Sequence, residues 1–509
     1  MAASPSLIAA PQSANVITVA ILGSVSGGGV SVRGDPLLAS DGNFYFTAYS
    51  GGASGVGAIF QMTPGGTITT VHSLVGSPTE GTTPYAGLIE ATDGDLYGTT
   101  YLGGEHNLGT VFKVTKAGTY TNLFSFNNAS KGAFLPYTGV VQAPDGNLYG
   151  TTLRGGTNDL GTVFKITTSG TLTTIYNFDG ATGKSPEGKL LVGADGALYG
   201  TTLLGGASDR GTVYKITTGG TLTTVFSFEA LGAFNAQGVA TNTNGANPRA
   251  GLMLGADGNF YGTSYQGGTG GWGTVFRMTP AGAITTLHSF TGAPYGGANP
   301  LGAVTQGSDG SLYGTTEKGG FGNLGTAWRV GPTGQFGLLH SFRGQAADGS
   351  TPYGTLVPFG GYLYGASYTD SIVGSGTIFK LDLGTGGVLP VAFSVAPETI
   401  EIGATATLTY ASPTAASCTA SGSWTDVITT SGTKTVAPTS PGVYTYTFSC
   451  SDGTVSRDAY AALVVTAPDA QPVDGGGDGG GGALSLLALA LLGGITITAK
   501  LTRKQSDHE

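Results

Sequence analysis

The stretch GVVQAPDGNLYGTTLRGG, residues 139–156, contains the phrase that decides the fold. Close copies of its centre, DGNLYGTT, recur along the chain, and they begin at Asp41, Asp93, Asp145, Asp195, Asp257 and Asp309. A seventh, degenerate copy, GGYLYGASY, begins at Gly360. The copies start 52, 52, 50, 62, 52 and 51 residues apart. A period of about fifty residues is typical of propellers and solenoids.

Each copy divides into four predicted strands. Around Asp145, the runs 139–143 and 148–153 flank an Asp-Gly turn, which is a strong hairpin signal. The β-branched and aromatic run 161–167 and the run 171–178 follow. Four antiparallel strands in about fifty residues match one propeller blade. We therefore expect an all-β protein in which residues 15–395 form a seven-bladed β-propeller of four-stranded blades.

Closure of the ring requires one further strand. The segment NVITVAIL, residues 15–22, has the pattern of a lone fourth strand, whereas the competing segment VLPVAF, residues 388–393, contains Pro390. We therefore favour closure by the N-terminal segment. The recurrent tyrosine of each copy is expected to pack between blades. These residues are Tyr45, Tyr97, Tyr149, Tyr199, Tyr261, Tyr313 and Tyr364.

Composition agrees with an ordered β-rich chain. The 509 residues include 92 Gly and 23 Pro, and most of the glycines occupy fixed turn positions inside the repeats. The chain has 21 Lys and Arg against 30 Asp and Glu, for a net charge of −9. The sequence therefore shows no basic patch for nucleic acid.

Residues 396–467 have a different character, with alternating strands between Pro and Gly turns, and they resemble a bacterial immunoglobulin-like β-sandwich. Cys418 and Cys450 are the only cysteines in the chain, and Trp424 lies between them. The resemblance implies an inter-sheet disulfide, and a pair of reduced buried thiols is the alternative. A disulfide indicates an oxidising, extracytoplasmic location.

The two ends of the chain carry predicted export features. A Gly-rich linker, 468–482, precedes an uncharged segment, 483–499, and a basic tail, 500–509. A helix of that length reaches about 25 Å at 1.5 Å per residue, and we expect it to span a membrane with the basic tail in the cytoplasm. Residues 1–14 contain no Lys or Arg, and we interpret them as a truncated signal segment.

The repeat phrase DGxLYGTTxxGGxxxxGTVFKxTxxGxxTxLxxF resembles the GloVer-type, or choice-of-anchor, tandem repeat of bacterial surface proteins. The tail resembles the GlyGly-type sorting signal, although SDHE at 506–509 dilutes its terminal basic cluster. This resemblance implies processing by an intramembrane protease of the rhombosortase type and delivery to the cell surface or the medium, through type II secretion. The implied cleavage region contains Gly479, Gly480, Gly481, Gly482 and Ala483.

Residues that suggest catalytic or metal chemistry are few. His72, His288 and His340 occupy one repeat position, where other copies have Phe124, Tyr176 and Phe226, so we interpret them as packing residues rather than metal ligands. The aspartates of the Asp-Gly turns are expected from turn geometry, and no calcium loop surrounds them. The sequence predicts no catalytic residue, metal site or cofactor.

The loops that join the second and third strands of each blade contain most of the variation between copies. Antiparallel strands place these loops on one face of the ring, together with the connections between blades. The candidate ligand-binding residues are His106, Asn107, Asp159, Asp209, Arg210, Trp272, Phe321 and Asn323. The alternative is that they are ordinary solvated loop residues.

Two functions remain open. The first is an exported cell-surface or secreted non-catalytic protein that binds glycan, matrix or protein through this loop face. The second is a secreted propeller hydrolase or lyase that acts on an extracellular polymer and needs convergent carboxylates or histidines in the central channel. The near-identical blades show no such asymmetry, so binding is favoured. A purely architectural surface protein is a third possibility.

Overall fold

The computed structural model describes residues 15–21, 31–128, 132–293, 296–320, 322–332, 334–344, 349–369, 376–382, 392–396, 399–412, 415–425, 428–451 and 456–466. Within these ranges all of the regular secondary structure is β-strand. Six sheets that each contain the four strands of one repeat, and a seventh that combines strands of the last repeat with the N-terminal strand, form a seven-bladed β-propeller. The described ranges contain no helix that is long and apolar enough to cross a membrane.

Each blade runs from an innermost strand near the ring axis to an outermost strand. The innermost strands are Leu37–Leu38, Ile89–Glu90, Val141–Gln142, Leu191–Val192, Met253–Leu254, Thr305–Gln306 and Val357–Phe359. The second strands are Phe44–Ala48, Leu96–Thr100, Leu148–Thr152, Leu198–Thr202, Phe260–Ser264, Leu312–Thr316 and Tyr362–Thr369. The innermost strands are shorter than the run 139–143 predicts, because only two residues of that run pair with the second strand.

The third and outermost strands complete each blade, and the pairing between them contains a register shift in the first six blades. The third strands are Ala58–Met62, Thr110–Val114, Thr162–Ile166, Thr212–Ile216, Thr274–Met278, Thr326–Val330 and Thr377–Asp382. The outermost strands are Ile68–Ser73, Tyr120–Ser125, Leu172–Asn177, Leu222–Ser227, Ile284–Ser289, Phe336–Ser341 and, in blade 7, Asn15–Ile21. Short accessory strands are Gly81–Thr82 with Leu102–Gly103, Gly297–Ala298 with Lys318–Gly319, and Ser350–Pro352 beside the second strand of blade 7.

The N-terminal strand closes the ring. Asn15–Ile21 pairs antiparallel with Thr377–Asp382, so that Asn15 lies opposite Asp382 and Ile21 opposite Thr377. The seventh blade thus combines strands from before the first repeat and from the last one. The predicted N-terminal closure is confirmed.

The repeated Asp, Tyr and Lys residues form one structural unit in each of several blades. In blade 3 the Tyr149 hydroxyl donates to Asp145 Oδ2 at 2.7 Å, and Lys165 Nζ donates to the same oxygen at 3.1 Å. Burial acts to raise the pKa of Asp145, but hydrogen bonds from Tyr149 and Asn147 lower it to about 2. Tyr149 is fully buried in a cluster that includes Leu198 of blade 4. The predicted packing of this tyrosine between blades is confirmed.

The glycine that follows the tyrosine is required by packing across the blade. Gly150 faces Phe164 on the third strand, and a Cβ atom at residue 150 would lie 2.5 Å from the Phe164 ring. Only a residue without a side chain leaves room for this ring, which fills the core between blades 2 and 3. The Leu-Tyr-Gly phrase is therefore a packing signature.

The segment after the propeller forms two sheets around a shared hydrophobic core. One sheet contains Ala392–Ala396, Ala406–Ala411 and Ser431–Val436, and the other contains Thr399–Glu401, Ser456–Thr466, Gly442–Ser451 and Ser417–Gly422. Leu408 from the first sheet and Phe448 and Leu463 from the second are fully buried in one cluster.

The disulfide between Cys418 and Cys450 is present. The prediction that it joins the two sheets is wrong, because the two cysteines lie directly opposite each other on neighbouring strands of one sheet. Each strand alternates its side chains, so residues paired across a ladder share one face of a sheet and their sulfur atoms meet without crossing the core. Trp424 lies in the core of this domain beside Tyr410, with ring centroids 5.1 Å apart.

Several predicted segments lie outside the described residues. They are the N-terminal segment 1–14, the linker 468–482, the helix 483–499, the tail 500–509 and the cleavage region from Gly479 to Ala483.

Candidate functional site

One face of the propeller carries two sets of loops that hydrogen-bond to each other. In six of the seven blades a residue with positive φ precedes a proline in the segment that leads into the innermost strand, as in Leu135-Pro136 with φ 58° at Leu135. The Leu135 N–H donates to the carbonyl of Leu108, in the loop between the second and third strands of blade 2, at 2.9 Å. The same bond joins Ser185 to Leu160 at 3.0 Å and Asn299 to Trp272 at 2.8 Å. This loop face is therefore a fixed surface rather than a set of independent loops.

Four of the predicted ligand residues share one structural role. A side-chain oxygen of each accepts the N–H of the glycine four residues earlier at 2.8 to 2.9 Å. Each also has a φ between 53° and 57°, a conformation that Asn and Asp tolerate better than most residues. These residues are Asn107, Asp159, Asp209 and Asn323. Their repetition is explained by the shape of the loop.

The other predicted ligand residues have varied surroundings. His106 is half-exposed, and its Nε2 lies 4.0 Å from Glu105. Arg210 and Trp272 occupy the same loop position in blades 4 and 5, and the backbone carbonyl of each accepts the N–H of Asn247 or Asn299 in the loop contact described above. Trp272 is partly buried against the core between blades 5 and 6. Phe321 lies outside the described residues.

The centre of the loop face opens on a cavity of about 370 Å³ along the ring axis, lined by the start of the innermost strands of all seven blades. None of the seven predicted ligand residues that the structure describes lines it. Two levels of side chains face this cavity. The first level, here called the entrance ring, consists of Arg33, Tyr85, Tyr137, Glu187, Arg249, Leu301 and Tyr353. The second, here called the inner ring, lies two residues further along and consists of Asp35, Gly87, Gly139, Lys189, Gly251, Ala303 and Thr355.

Blades 4 and 5 contribute an ion pair to the entrance ring. Arg249 Nε lies 3.3 Å from Glu187 Oε2, and the Glu187 side chain is only 10% exposed whereas that of Arg249 is 32% exposed. Burial raises the pKa of the Glu187 carboxyl, and the positive charge of Arg249 opposes the shift. The Arg249 guanidinium also lies over the Tyr265 ring, 4.8 Å from its centroid.

The opposite side of the entrance ring surrounds Arg33 with tyrosines. The Arg33 guanidinium lies 4.8 Å from the ring centroids of Tyr85 and Tyr368 and 5.1 Å from that of Tyr353, which are cation–π distances. The hydroxyls of Tyr137 in blade 3 and Tyr353 in blade 7 share a hydrogen bond at 2.9 Å. Because these blades are not neighbours, this bond connects distant parts of the ring. The entrance is therefore aromatic and cationic on one side and ionic on the other.

The inner ring holds one acid and one amine. Asp35 accepts the Thr355 N–H at 2.7 Å and the Thr355 hydroxyl at 3.2 Å. Lys189 is partly buried in the cavity wall, and burial lowers the pKa of its amine while Asp35 opposes the shift. Within the described part of the chain, Lys189 Nζ has no hydrogen-bond or ion-pair partner. It is the one inner-ring side chain that is both charged and unpaired.

The three recurrent histidines lie in separate blades and contact aromatic rings. His72 stacks on Tyr120 at 4.7 Å and lies 3.1 Å from Glu80, His288 stacks on Phe336 at 3.9 Å, and His340 meets the edge of Phe342 at 4.9 Å. These contacts support the packing interpretation. Among the residues that the structure describes, no three His, Cys, Asp or Glu side chains form a group that could hold a metal ion.

Sequence reasoning missed both rings, and its view that the blades lack asymmetry is wrong at these positions. The asymmetry is visible in the sequence at the residue that follows the recurrent turn proline. Aligned at that proline, the copies read TPYAG, LPYTG, SPEGK, NPRAG, NPLGA and TPYGT, from residues 83, 135, 185, 247, 299 and 351. The column after the proline is Tyr, Tyr, Glu, Arg, Leu and Tyr, whereas the strand phrases beside it hardly change.

Residues 32–243 and 231–430 match the family described as the Gloeobacter/Verrucomicrobia repeat. The chain belongs to the Gloeobacter/Verrucomicrobia repeat family. The family match confirms the repeat resemblance drawn from the strand phrases. No curated protein matches the chain significantly.

Solved structures share the fold at low identity. The extracellular domain described as part of hybrid two-component system BT3049 from B. thetaiotaomicron is 12% identical, with a TM-score of 0.48 over 90% of this chain. PorZ, a surface component of the type-IX secretion system of Porphyromonas gingivalis, is 13% identical, with a TM-score of 0.40 over 84% of this chain. This chain spans 58% of the length of each. The BP39L lectin from Burkholderia pseudomallei is 11% identical, with a TM-score of 0.45 over 75% of this chain and 99% of the lectin. At these scores the likeness carries no argument about function.

Proposed function

We propose that this member of the Gloeobacter/Verrucomicrobia repeat family is an exported, non-catalytic binding protein that recognises an extracellular glycan, matrix component or protein at its entrance ring. The observation that carries the proposal is the asymmetry of seven equivalent positions in otherwise near-identical repeats. Packing between blades cannot account for it, because the positions before and after these residues keep the same roles in each blade. The side chains face a cavity instead of a neighbouring sheet.

The chemistry of the entrance ring suits recognition. Tyrosines provide large, rigid contact area with a polar hydroxyl, and they lose little conformational entropy on binding. Tyr85 lies 5.0 Å from Tyr101 and 5.6 Å from Tyr137, which makes a continuous aromatic surface beside Arg33. Aromatic and arginine side chains around a cavity of this size are typical of ligand sites.

Export is supported by the disulfide. Both cysteines of the chain are consumed in the Cys418–Cys450 bond, and such bonds persist in oxidising compartments. We further propose that the two-sheet domain is immunoglobulin-like and that it holds the propeller away from the membrane. In the same proposal the segment 483–499 anchors the protein until a rhombosortase-like protease cleaves near Gly479 to Ala483. The final location is then the cell surface or the medium.

A glycan and matrix-protein array tests the binding site with two single variants of the purified protein. Tyr85→Ala removes one side of the aromatic surface, and His106→Ala removes a half-exposed side chain of the surrounding loops. We expect Tyr85→Ala to lose the array signal and His106→Ala to keep it. If only His106→Ala loses the array signal, the binding site lies on the loops and not at the entrance ring. If the unaltered protein gives no array signal, a binding function is contradicted.

A hydrolase or lyase remains the second candidate because of one observation. Glu187 is a nearly buried carboxyl at a cavity entrance whose pKa is raised by burial, which is a property of general acids. Its ion pair with Arg249 opposes that role. If the protein degrades an extracellular polymer, Glu187→Gln abolishes the release of reducing ends without loss of polymer binding. Equal rates in both proteins contradict this role.

A further inference from the structure

We propose that the cavity beneath the entrance ring binds the carboxylate of a sugar-sized ligand against Lys189. The ligand class is therefore an acidic one, such as a uronic acid at the end of a polysaccharide. The inference rests on the proposed function only in that the ligand enters through the same ring.

The first argument comes from the repeat itself. At the inner-ring level three other blades have Gly87, Gly139 and Gly251 and one has Ala303, whereas blades 1 and 7 have Asp35 and Thr355, which hydrogen-bond to each other. Lys189 departs from this pattern by four methylenes and an ammonium group. Blade packing does not explain a long cationic side chain at this level that lacks the hydrogen-bonded partner that Asp35 and Thr355 have in each other.

The second argument is electrostatic. The charged side chains that line the cavity are Arg33, Lys189 and Arg249 against Asp35 and Glu187. Glu187 is paired with Arg249, both oxygens of Asp35 accept from Thr355, and Arg33 is enclosed by tyrosines. Neither Arg33 nor Lys189 forms an ion pair with a described residue, and Lys189 also lacks the aromatic contacts that Arg33 has. With Lys189 protonated, the cavity has one positive charge in excess, which a monovalent anion neutralises.

The third argument is size and polarity. A cavity of about 370 Å³ is at the small end of the range for ligand pockets. Beneath the rings its walls include Val141, Leu191 and Val192. An apolar wall strengthens a charge pair formed within it, since water that would screen the pair is excluded. A carboxylate on a small ring fits both the volume and the single excess charge.

The test uses two pairs of probes that differ only in the carboxylate: galacturonate with galactose, and glucuronate with glucose. Binding to the purified full-length protein is measured by saturation-transfer NMR and calorimetry. Lys189→Met keeps the length of the side chain and removes its charge. Lys318→Met is the matched control, since Lys318 is an exposed lysine on the same loop face.

We expect at least one uronate to bind about tenfold or more tightly than its neutral partner, because a buried charge pair contributes at least that much. Lys189→Met loses this preference and Lys318→Met retains it. Lys189→Met also melts at a higher temperature than the unaltered protein without ligand, since it removes a partly buried charge that has no ion-pair partner among the described residues. This melting result shows that the variant is folded.

Three results overturn the inference: no binding of either uronate, equal binding of acidic and neutral probes, or an unchanged preference in Lys189→Met. The array experiment separates this inference from the proposed function. Array binding that depends on Tyr85 but not on Lys189 leaves the proposed function intact and removes the carboxylate site. If uronate binding depends on Lys189 but the protein gives no array signal, the carboxylate site is supported and the proposed function is contradicted.

Discussion

Replacement of His288 by phenylalanine should remove an acid-sensitive point between blades 5 and 6. The His288 ring stacks on Phe336 with centroids 3.9 Å apart, and Nε2 is buried without a hydrogen-bond partner among the described residues. Burial lowers the pKa of His288 from 6.5 to about 4. In the equivalent position of other blades the ring is Phe124, Tyr176 or Phe226, so phenylalanine is compatible with this site.

The magnitude follows from linked protonation. The unfolded chain binds a proton at His288 more readily than the folded protein, so its contribution to stability is complete above about pH 6.5 and declines as the pH falls toward 4. At about pH 5 the loss is about 2 kcal/mol, and below about pH 4 it approaches about 3 kcal/mol. The variant has no proton to bind at this position. It should therefore be more stable than the unaltered protein by that difference at acidic pH.

Urea denaturation at about pH 7.5 and about pH 5 measures this effect, with the difference between the two proteins as the readout. Trp328, whose ring lies 5.6 Å from that of Phe290 next to His288, provides a local fluorescence signal. Phe226→His is the reciprocal control and should introduce acid sensitivity in blade 4. If His288→Phe loses as much stability between the two pH values as the unaltered protein, the buried-histidine argument is refuted.

Three further predictions test the loops, the disulfide and the closure. Asp209→Ala should destabilise the protein by about 1 to 2 kcal/mol, whereas Asp209→Asn stays within about 0.5 kcal/mol, because asparagine keeps the acceptor and tolerates positive φ; equal losses in urea denaturation would show that the loop bond is unimportant. Replacing Cys418 and Cys450 by serine should cost the two-sheet domain about 3 to 4 kcal/mol and leave the propeller transition in calorimetry unchanged. Deletion of residues 1–21 exposes the edge of strand Thr377–Asp382, so we expect association by light scattering and a lower melting temperature; a monomer with unchanged melting would mean that the ring does not depend on this strand.

The sequence predicted the propeller well because packing is repeated. Tyr149, Gly150 and Phe164 each have equivalents in other blades, so one local pattern could be recognised many times. Comparison with the repeats also predicted the lone outer strand at Asn15–Ile21, because this segment has the pattern of a fourth strand but is not preceded by the first three strands of a repeat. The disulfide was less predictable, because strand order within the two-sheet domain is not encoded in the spacing of Cys418 and Cys450.

The candidate site was predicted poorly for the opposite reason. The variable loops between the second and third strands were expected to carry the ligand-binding residues. Asp209 and its equivalents in these loops are instead fixed by one repeated hydrogen bond. The cavity residues follow a proline inside a short connection that looks constant, and a single changed residue such as Glu187 or Lys189 does not alter the pattern. Their proximity arises only when seven innermost strands meet on one axis, which no local pattern records.

Stability and recognition therefore use different positions of the same repeat. The Asp-Tyr-Lys unit at Asp145 and the ring at Phe164 hold a blade to its neighbours, and neither faces the cavity. The entrance-ring side chains contact one another across the axis, as Tyr137 and Tyr353 do, so each substitution there alters a surface built jointly by several blades. A chain of near-identical units can thus present a site without sevenfold symmetry, because two positions per blade face the cavity and are free of the packing that fixes the other positions. Lys189 is the clearest case, since three equivalent positions are glycine and no carboxylate of the described residues forms an ion pair with its amine.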